Sequence, residues 1–346
     1  MSLATKYRPR DFGSVTEQTS TKRILQQQIE TSTFGNTYLL CGPSGDGKTT
    51  IARIFASMIN HGMGEPIEID GASNNGVDNV RSIIEDAKAR ALDAEYKVFI
   101  VDECHAITTA AWNAFLKCLE EPPKYTIFIF CTTDPQKIPA TIVNRLMRFN
   151  LSRISTEGIR NRLEWVCQQE GYLNYQDACD LISKMANGGM RDGLALLEKC
   201  AGYSNDLSIQ NALQALGNFS YETYFRLINS IVDGDSRGIL SIVDGIYDSG
   251  KDIKLFIEQF LDFCLDLDKY CLFKDMSVTR IPAYLEKPKE RGDTMNVSYA
   301  VSFDGSTKFF GRLVSKLLEL KVALKYDTMP KATASIRLME MCQEVA

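Results

Sequence analysis

Gly42-Pro43-Ser44-Gly45-Asp46-Gly47-Lys48-Thr49-Thr50 follows the apolar run from Thr37 to Cys41 and precedes the helix-like spacing of Ile51, Ile54, Phe55 and Met58. Gly42, Gly45 and Gly47 can take backbone angles closed to other residues, so the segment can curl with its N–H groups facing an anion. Lys48 supplies a point charge for β- and γ-phosphates, and Thr49 a hydroxyl for Mg²⁺. The helix opening near Thr50 aims its positive dipole end at the same place. The spacing Gly42-x₄-Gly47-Lys48-Thr49 completes the Walker A pattern in its required strand, loop and helix context. A glycine-rich surface turn is the competing reading. The chemistry indicated is binding of a nucleotide's phosphates with Mg²⁺.

A second group of residues fits phosphoryl transfer to water. Asp102-Glu103 ends the apolar run from Tyr96 to Val101, where Asp102 can hold Mg²⁺ through water and Glu103 can orient the attacking water. Taken alone, an acidic pair at a strand end is more often a helix cap or a solvated terminus. Thr133 ends the next apolar run, where its hydroxyl can sense the γ-phosphate. Arg191 opens a helix after Gly188-Gly189-Met190 and can reach the phosphates. Arg145 lies just before the last strand, where it can serve a neighbouring subunit as an arginine finger or form a local salt bridge. His61 and His105 lack a second His or Cys at ligand spacing and read as structural.

These residues require a scaffold of strands alternating with helices. Strands are expected at 37–41, 65–70, 96–101, 126–131 and 147–151. Helices are expected at 20–31 (capped by Ser20 or Thr21), over the residues after the loop, at 77–90 and at 109–120. The third and fourth strands run without alternation, as strands buried on both faces do. Right-handed βαβ units on a parallel sheet then put the site at the carboxyl ends of the strands. Past Ser155 the pattern is helical only. A small bundle spans 157–169, 175–186 and 190–201, and longer helices follow at 220–232, 235–248, 252–273, 304–325 and 330–344. An irregular, Pro- and charge-rich stretch runs over 279–296.

The chain has 346 residues, too many for one core to serve easily, and a net charge of −5, so any nucleic-acid contact must be focused on a local basic stripe. Its cysteines, among them Cys41, Cys104, Cys118, Cys131, Cys167 and Cys264, sit singly in apolar segments without a C-x-x-C pair and read as buried thiols. No apolar run approaches the ~20 residues of a membrane span, and the N-terminus has no apolar region behind its positive charges. A cytoplasmic protein without a membrane partner is expected.

Several blocks resemble one family, the ATPase subunits of DNA polymerase sliding-clamp loaders, and especially the bacterial gamma/tau subunit. They are Lys6-Tyr-Arg-Pro-Arg-Asp-Phe-Gly-Ser-Val15, the Walker A loop, Ile69-Asp-Gly-Ala-Ser-Asn-Asn-Gly-Val77 and Val101-Asp-Glu-Cys-His105. Asn113-Ala-Phe-Leu-Lys-Cys-Leu-Glu-Glu-Pro-Pro123, Thr132-Thr-Asp-Pro-Gln-Lys137 and Gly189-Met-Arg-Asp192 follow in order. The resemblance implies an α/β P-loop (AAA+) domain with a parallel five-stranded sheet over 1–154. A small helical lid over 155–218 and an all-helical collar over 219–346 follow it. It also implies Lys48 and Thr49 on ATP and Mg²⁺, Asp102 and Glu103 as the acidic pair, Thr133 as sensor 1, Arg191 as sensor 2 and Arg145 as the finger. Tyr7, Arg8 and Pro9 match the segment against the adenine, and Arg81 and Lys117 match positions facing primer–template phosphates.

Three departures stand out. Asn144 and Leu146 flank the finger arginine where the family has Ser and Cys. The joint Asn60-His-Gly-Met-Gly64 occupies the place of a four-cysteine zinc module, so no zinc is expected. The chain also stops soon after the collar would end, and a loader from a virus or a divergent replicon would fit these losses. The function implied is that of an ATP-hydrolysing motor subunit in a ring, pentameric by resemblance, with the sliding clamp, other loader subunits and primer–template DNA as partners. A non-catalytic stator-type subunit, and a Holliday-junction or helicase-loading motor, are the alternatives.

Overall fold

A computed structural model of the chain describes residues 1–217, 219–282, 285–286, 296–302 and 305–344. By internal contact they form two units, residues 1–166 with 186–198, and residues 167–185 with 199–346.

The first unit is built on five parallel strands: β1 (Thr37–Cys41), β2 (Ile67–Asp70), β3 (Lys97–Asp102), β4 (Thr126–Thr132) and β5 (Met147–Asn150), in the order β2-β3-β4-β1-β5. β4 therefore lies between β1 and β3, with Leu39 opposite Phe130 and Phe99 opposite Phe128. β4 is buried along its whole length, as its unbroken apolar run requires. β2 carries Glu68 and Asp70, lies at the sheet edge and is largely exposed.

The two-residue strand period sorts the core onto both faces of the sheet. Leu40, Ile100, Ile127, Ile129 and Cys131 face one way, covered by α1 (Thr19–Glu30) and α2 (Lys48–Ile59). Leu39, Phe99, Phe128 and Phe130 face the other, covered by α3 (Val77–Ala87) and α4 (Thr109–Glu120). Phe115 of α4 meets Phe128 and Phe130 edge-on, with ring centroids 5.8 and 5.7 Å apart, contacts of about 0.5–1.5 kcal/mol each beyond the area they bury.

Three local details differ from the sequence expectation. α1 starts at Thr19 without a side-chain cap, because Thr21 is buried and the Gln18 amide pairs with both backbone groups of Ser152. α3 ends at Ala87, and Ala89 N–H turns back to the Asp86 carbonyl. Ile209–Leu216 forms a helix that the apolar spacing did not single out; it ends at Gly217, whose φ of +75° suits a residue without Cβ.

Helices α5 (Thr156–Glu170) and α7 (Met190–Tyr203) begin in the first unit, and α6 (Gln176–Met185) belongs to the second. The second unit continues with α8 (Ile209–Leu216), α9 (Tyr221–Val232), α10 (Ser236–Asp248), α11 (Ile253–Phe273), α12 (Ser306–Leu324) and α13 (Pro330–Glu344). Phe225, Phe256, Phe260, Phe310 and Leu317 are central to its core. Of the irregular stretch 279–296, residues 283–284 and 287–295 lie outside the described residues. All ten cysteines are buried, and none forms a disulfide. No described helix is long and apolar enough to cross a membrane.

Candidate functional site

The carboxyl ends of β1 and β3, the loop after β1 and the start of α7 enclose one cleft in the first unit. Ser44 to Thr50 line it, with Asp102 and Glu103 from the end of β3, Arg191 from α7, and Tyr7, Arg8 and Pro9 from the N-terminal segment. Residues far apart in sequence thus share one cleft.

The loop has the conformation its glycines permit. Gly45 and Gly47 have φ of +76° and +100°. A Cβ at Gly42 would lie 2.0 Å from Asp46 Oδ2 and 2.8 Å from the Leu151 carbonyl oxygen. At Gly45 it would lie 3.0 Å from Gly189 Cα, and the Met190 N–H donates to the Gly45 carbonyl at 2.9 Å. The Gly188-Gly189 turn thereby rests directly on the glycine loop after β1, which brings Arg191 to the cleft.

Thr49 Oγ1 donates to Asp102 Oδ2 at 2.7 Å, and the Glu103 N–H donates to Asp102 Oδ1 at 3.0 Å. A hydroxyl beside a carboxylate at a phosphate loop is an all-oxygen donor pair of the kind Mg²⁺ takes together with water and phosphate oxygens, so these residues fit that ion. Lys48 Nζ donates to the Gly42 carbonyl at 2.8 Å, to the Pro43 carbonyl and to Asp46 Oδ1 at 3.1 Å. The Arg8 guanidinium is held below its usual pKa by burial first and then by Arg53 and Arg191, while Glu68 and Asp102 oppose the shift. Cations are gathered here as a polyphosphate would require. Arg8, from the segment expected against the base, lines the same cleft as Arg191 and Asp102.

Glu103 adopts φ +45° and ψ +40°, a left-handed conformation that a non-glycine residue enters at a cost. Its Oε2 accepts from Thr133 Oγ1 at 3.1 Å and lies 3.2 Å from His105 Nδ1, which is also 3.2 Å from Thr132 Oγ1. Thr133 therefore touches the acidic pair rather than lining the cleft. His105, read from sequence as structural, is a partner of that same carboxylate; its position two residues past the pair was the available signal. Sequence reading also missed Arg162, which donates to the Tyr7 carbonyl at 2.8 Å and lies 4.2 Å from the centre of the Trp165 ring, itself edge-on to Tyr7. Val15, Ile154, Met190 and Leu194 give the same end of the cleft an apolar lining suited to a base.

Besides Gly42, Pro43 and Thr133, three expected site residues, Arg145, Arg81 and Lys117, lie outside the cleft lining. Arg145 donates through Nε to Glu120 Oε1 at 3.0 Å and also bonds the Thr141 carbonyl. Arg81 on α3 is exposed and pairs with Asp78, and Lys117 is exposed on α4, the helix packed beside it.

Family models match three successive segments: DNA polymerase III, delta subunit, over residues 65–155; DNA polymerase III clamp loader subunit, ATPase lid domain, over 158–206; and DNA polymerase III subunits gamma and tau domain III, over 207–290. The DNA polymerase III subunit tau of Bacillus subtilis is 30% identical over 97% of this chain and 62% of its own length. The subunit gamma of Buchnera aphidicola is 29% identical over 89% of this chain and 93% of its own. The chain spans half the length of the Mycoplasma genitalium subunit gamma/tau. Among solved structures, the Thermotoga maritima RuvB Holliday junction branch migration motor matches with a TM-score of 0.52 at 17% identity, over 71% of this chain and 86% of that one. That likeness is one of fold.

Proposed function

We propose, from the premise that this chain belongs to the AAA+ clamp-loader ATPase family, that it is a motor subunit that hydrolyses ATP to open a sliding clamp and place it on primer–template DNA. The observation that carries this reading is the single cleft lined by Lys48, Thr49, Asp102, Glu103 and Arg191. A non-catalytic stator would not need that set. A junction-migrating motor draws support from the RuvB likeness only at the level of fold.

In this reading the loop from Gly42 to Thr50 holds the phosphates and Lys48 swings to them. Thr49 and Asp102 would hold Mg²⁺, which when bound neutralises charge developing on the phosphate oxygens. Glu103 accepts the proton of the attacking water, and its carboxylate is oriented by Thr133 and His105. Arg191 follows the γ-phosphate from the start of α7, and the glycine turn on the loop couples that helix to occupancy. Arg145 acts on the nucleotide of the next subunit.

Residues 1–154 serve as the ATPase domain, 155–218 as the lid and 219–346 as an oligomerisation collar in a ring of five. Arg81 and Lys117 contact DNA phosphates inside the ring, in the cytoplasm. Support for the collar comes from Leu318 and Val322, one helical turn apart on α12 and 51% and 74% exposed, with Tyr326 beyond them. The test is the steady ATPase rate with neither, either or both of a sliding clamp and primed DNA. A motor subunit reaches its full rate only with both. A rate that ignores the clamp but responds to four-way junctions would favour the branch-migration reading.

A further inference from the structure

The ammonium of Lys48 is held inside its own loop. It makes three contacts, to the carbonyls of Gly42 and Pro43 and to Asp46 Oδ1, and an ammonium has three donors. To reach a phosphate it must give up at least one of them. Asp46 is 1% exposed, Lys48 6%, and Asp46 Oδ2 is buried with no hydrogen-bond partner among the described residues. Asp46 is thus a buried carboxylate whose counter-charge is the same lysine the nucleotide needs.

We infer that Asp46 is a positioning residue that competes with the nucleotide for Lys48, so that ATP binding breaks the Asp46–Lys48 pair and is accompanied by uptake of a proton at Asp46. This rests on the nucleotide-binding reading of the cleft. A carboxylate stripped of its partner in a nearly sealed site is strongly disfavoured in its charged form and takes a proton instead. Among the described residues Lys48 is the cation paired with Asp46; Arg148 of β5 acts on the neighbouring Cys41 rather than on Asp46, and Arg8 and Arg191 line the same cleft without bonding it. Cys41 on β1 and Cys131 on β4 are the titratable groups that the charges of Asp46 and Lys48 reach, and burial pushes both thiols up, so they stay neutral. From the segment after β5, Leu151 offers an apolar side chain and a carbonyl. Burial already raises the Asp46 carboxyl against the pull of Lys48, and removing that pull moves it further the same way. The bound state then holds more protons than the free state, so through this group affinity for ATP rises as pH falls.

The experiment compares the wild-type chain with Asp46→Asn and Asp46→Thr, each checked for folding by thermal melting. Binding of a non-hydrolysable ATP analogue at fixed Mg²⁺ is measured by titration calorimetry in buffers of different ionisation enthalpy. Both variants are expected to bind about tenfold more tightly or better, and to take up fewer protons than wild type on binding. Equal or weaker binding by folded variants, or an unchanged proton count, overturns the inference while leaving the nucleotide site standing. Loss of folding in both variants makes Asp46 a structural group and also overturns it. A wild-type chain that binds no nucleotide overturns the parent reading, and this one with it.

Discussion

The Thr49 hydroxyl donates to Asp102 Oδ2 at 2.7 Å across 53 positions of sequence. The contact exists because β1 and β3 run parallel with β4 between them, so the loop after β1 and the acidic end of β3 open at the same edge of the sheet. Glu103 follows at once, turned by its left-handed backbone so that Thr133 and His105 reach its carboxylate.

Glu103→Gln keeps the phosphate loop, Thr49 and Asp102, so ATP affinity is expected to stay near wild type. Hydrolysis should fall about 10²–10⁴-fold, the contribution of a positioned general base. Single-turnover rates beside equilibrium binding separate the two effects, and wild-type turnover in the variant would sink the assignment.

Changing Arg81 and Lys117 together to Ala should weaken binding of primed DNA to a similar degree for any sequence. Each neutralised phosphate contributes about 0.9 to the log–log salt slope, so the slope should drop by about 1–2. An unchanged slope moves the DNA path elsewhere.

Arg145 is 34% exposed and its partner Glu120 50%, a surface pair of about 0.2–1 kcal/mol at most. Arg145→Ala should therefore fold normally and yet lose about 10³-fold in hydrolysis if the arginine acts on a neighbouring site. Mixed with Lys48→Ala subunits, which still offer Arg145, the variant should regain part of its activity. Absence of recovery in demonstrably mixed assemblies excludes action across the interface.

Gly42→Ala forces a Cβ to within 2.0 Å of Asp46 Oδ2 and 2.8 Å of the Leu151 carbonyl oxygen. The loop or the strand end must shift, at a cost of roughly 1–3 kcal/mol in urea unfolding, and nucleotide affinity should fall with it. A variant with wild-type stability and affinity would mean the loop accommodates a side chain there.

Leu318→Asp with Val322→Asp places two charges on the exposed stripe of α12 and should leave subunits monomeric in light scattering while their far-ultraviolet circular dichroism is kept. An unchanged assembly mass would move the oligomer contact to another face.

The sequence by itself determined the glycine loop after β1, the place of Asp102 and Glu103 at the end of β3, and the five strands. These depend on local rules: glycine backbone freedom, apolar runs without alternation, and the spacing of one lysine and one hydroxyl residue. It also determined that β4 must be buried, since an all-apolar run from Ile127 to Cys131 has no polar face to turn to water. The helix Ile209–Leu216 is bracketed by Ser208 and Gly217, local signals that were available, but at eight residues it is short and depends on its neighbours to form. Only the tertiary structure decided that His105 shares the Glu103 carboxylate, that Arg162 and Trp165 join Tyr7, and that Gly189 lies on Gly45. Each of these is a contact between groups whose local sequence is equally satisfied without it, so no pattern along the chain encodes it. The Asp46–Lys48 pair stands between the two cases. The residues are two apart in sequence, yet whether a loop aspartate faces water or turns inward onto its own lysine depends on the sheet beneath it, and here Gly42 and Leu151 close over it.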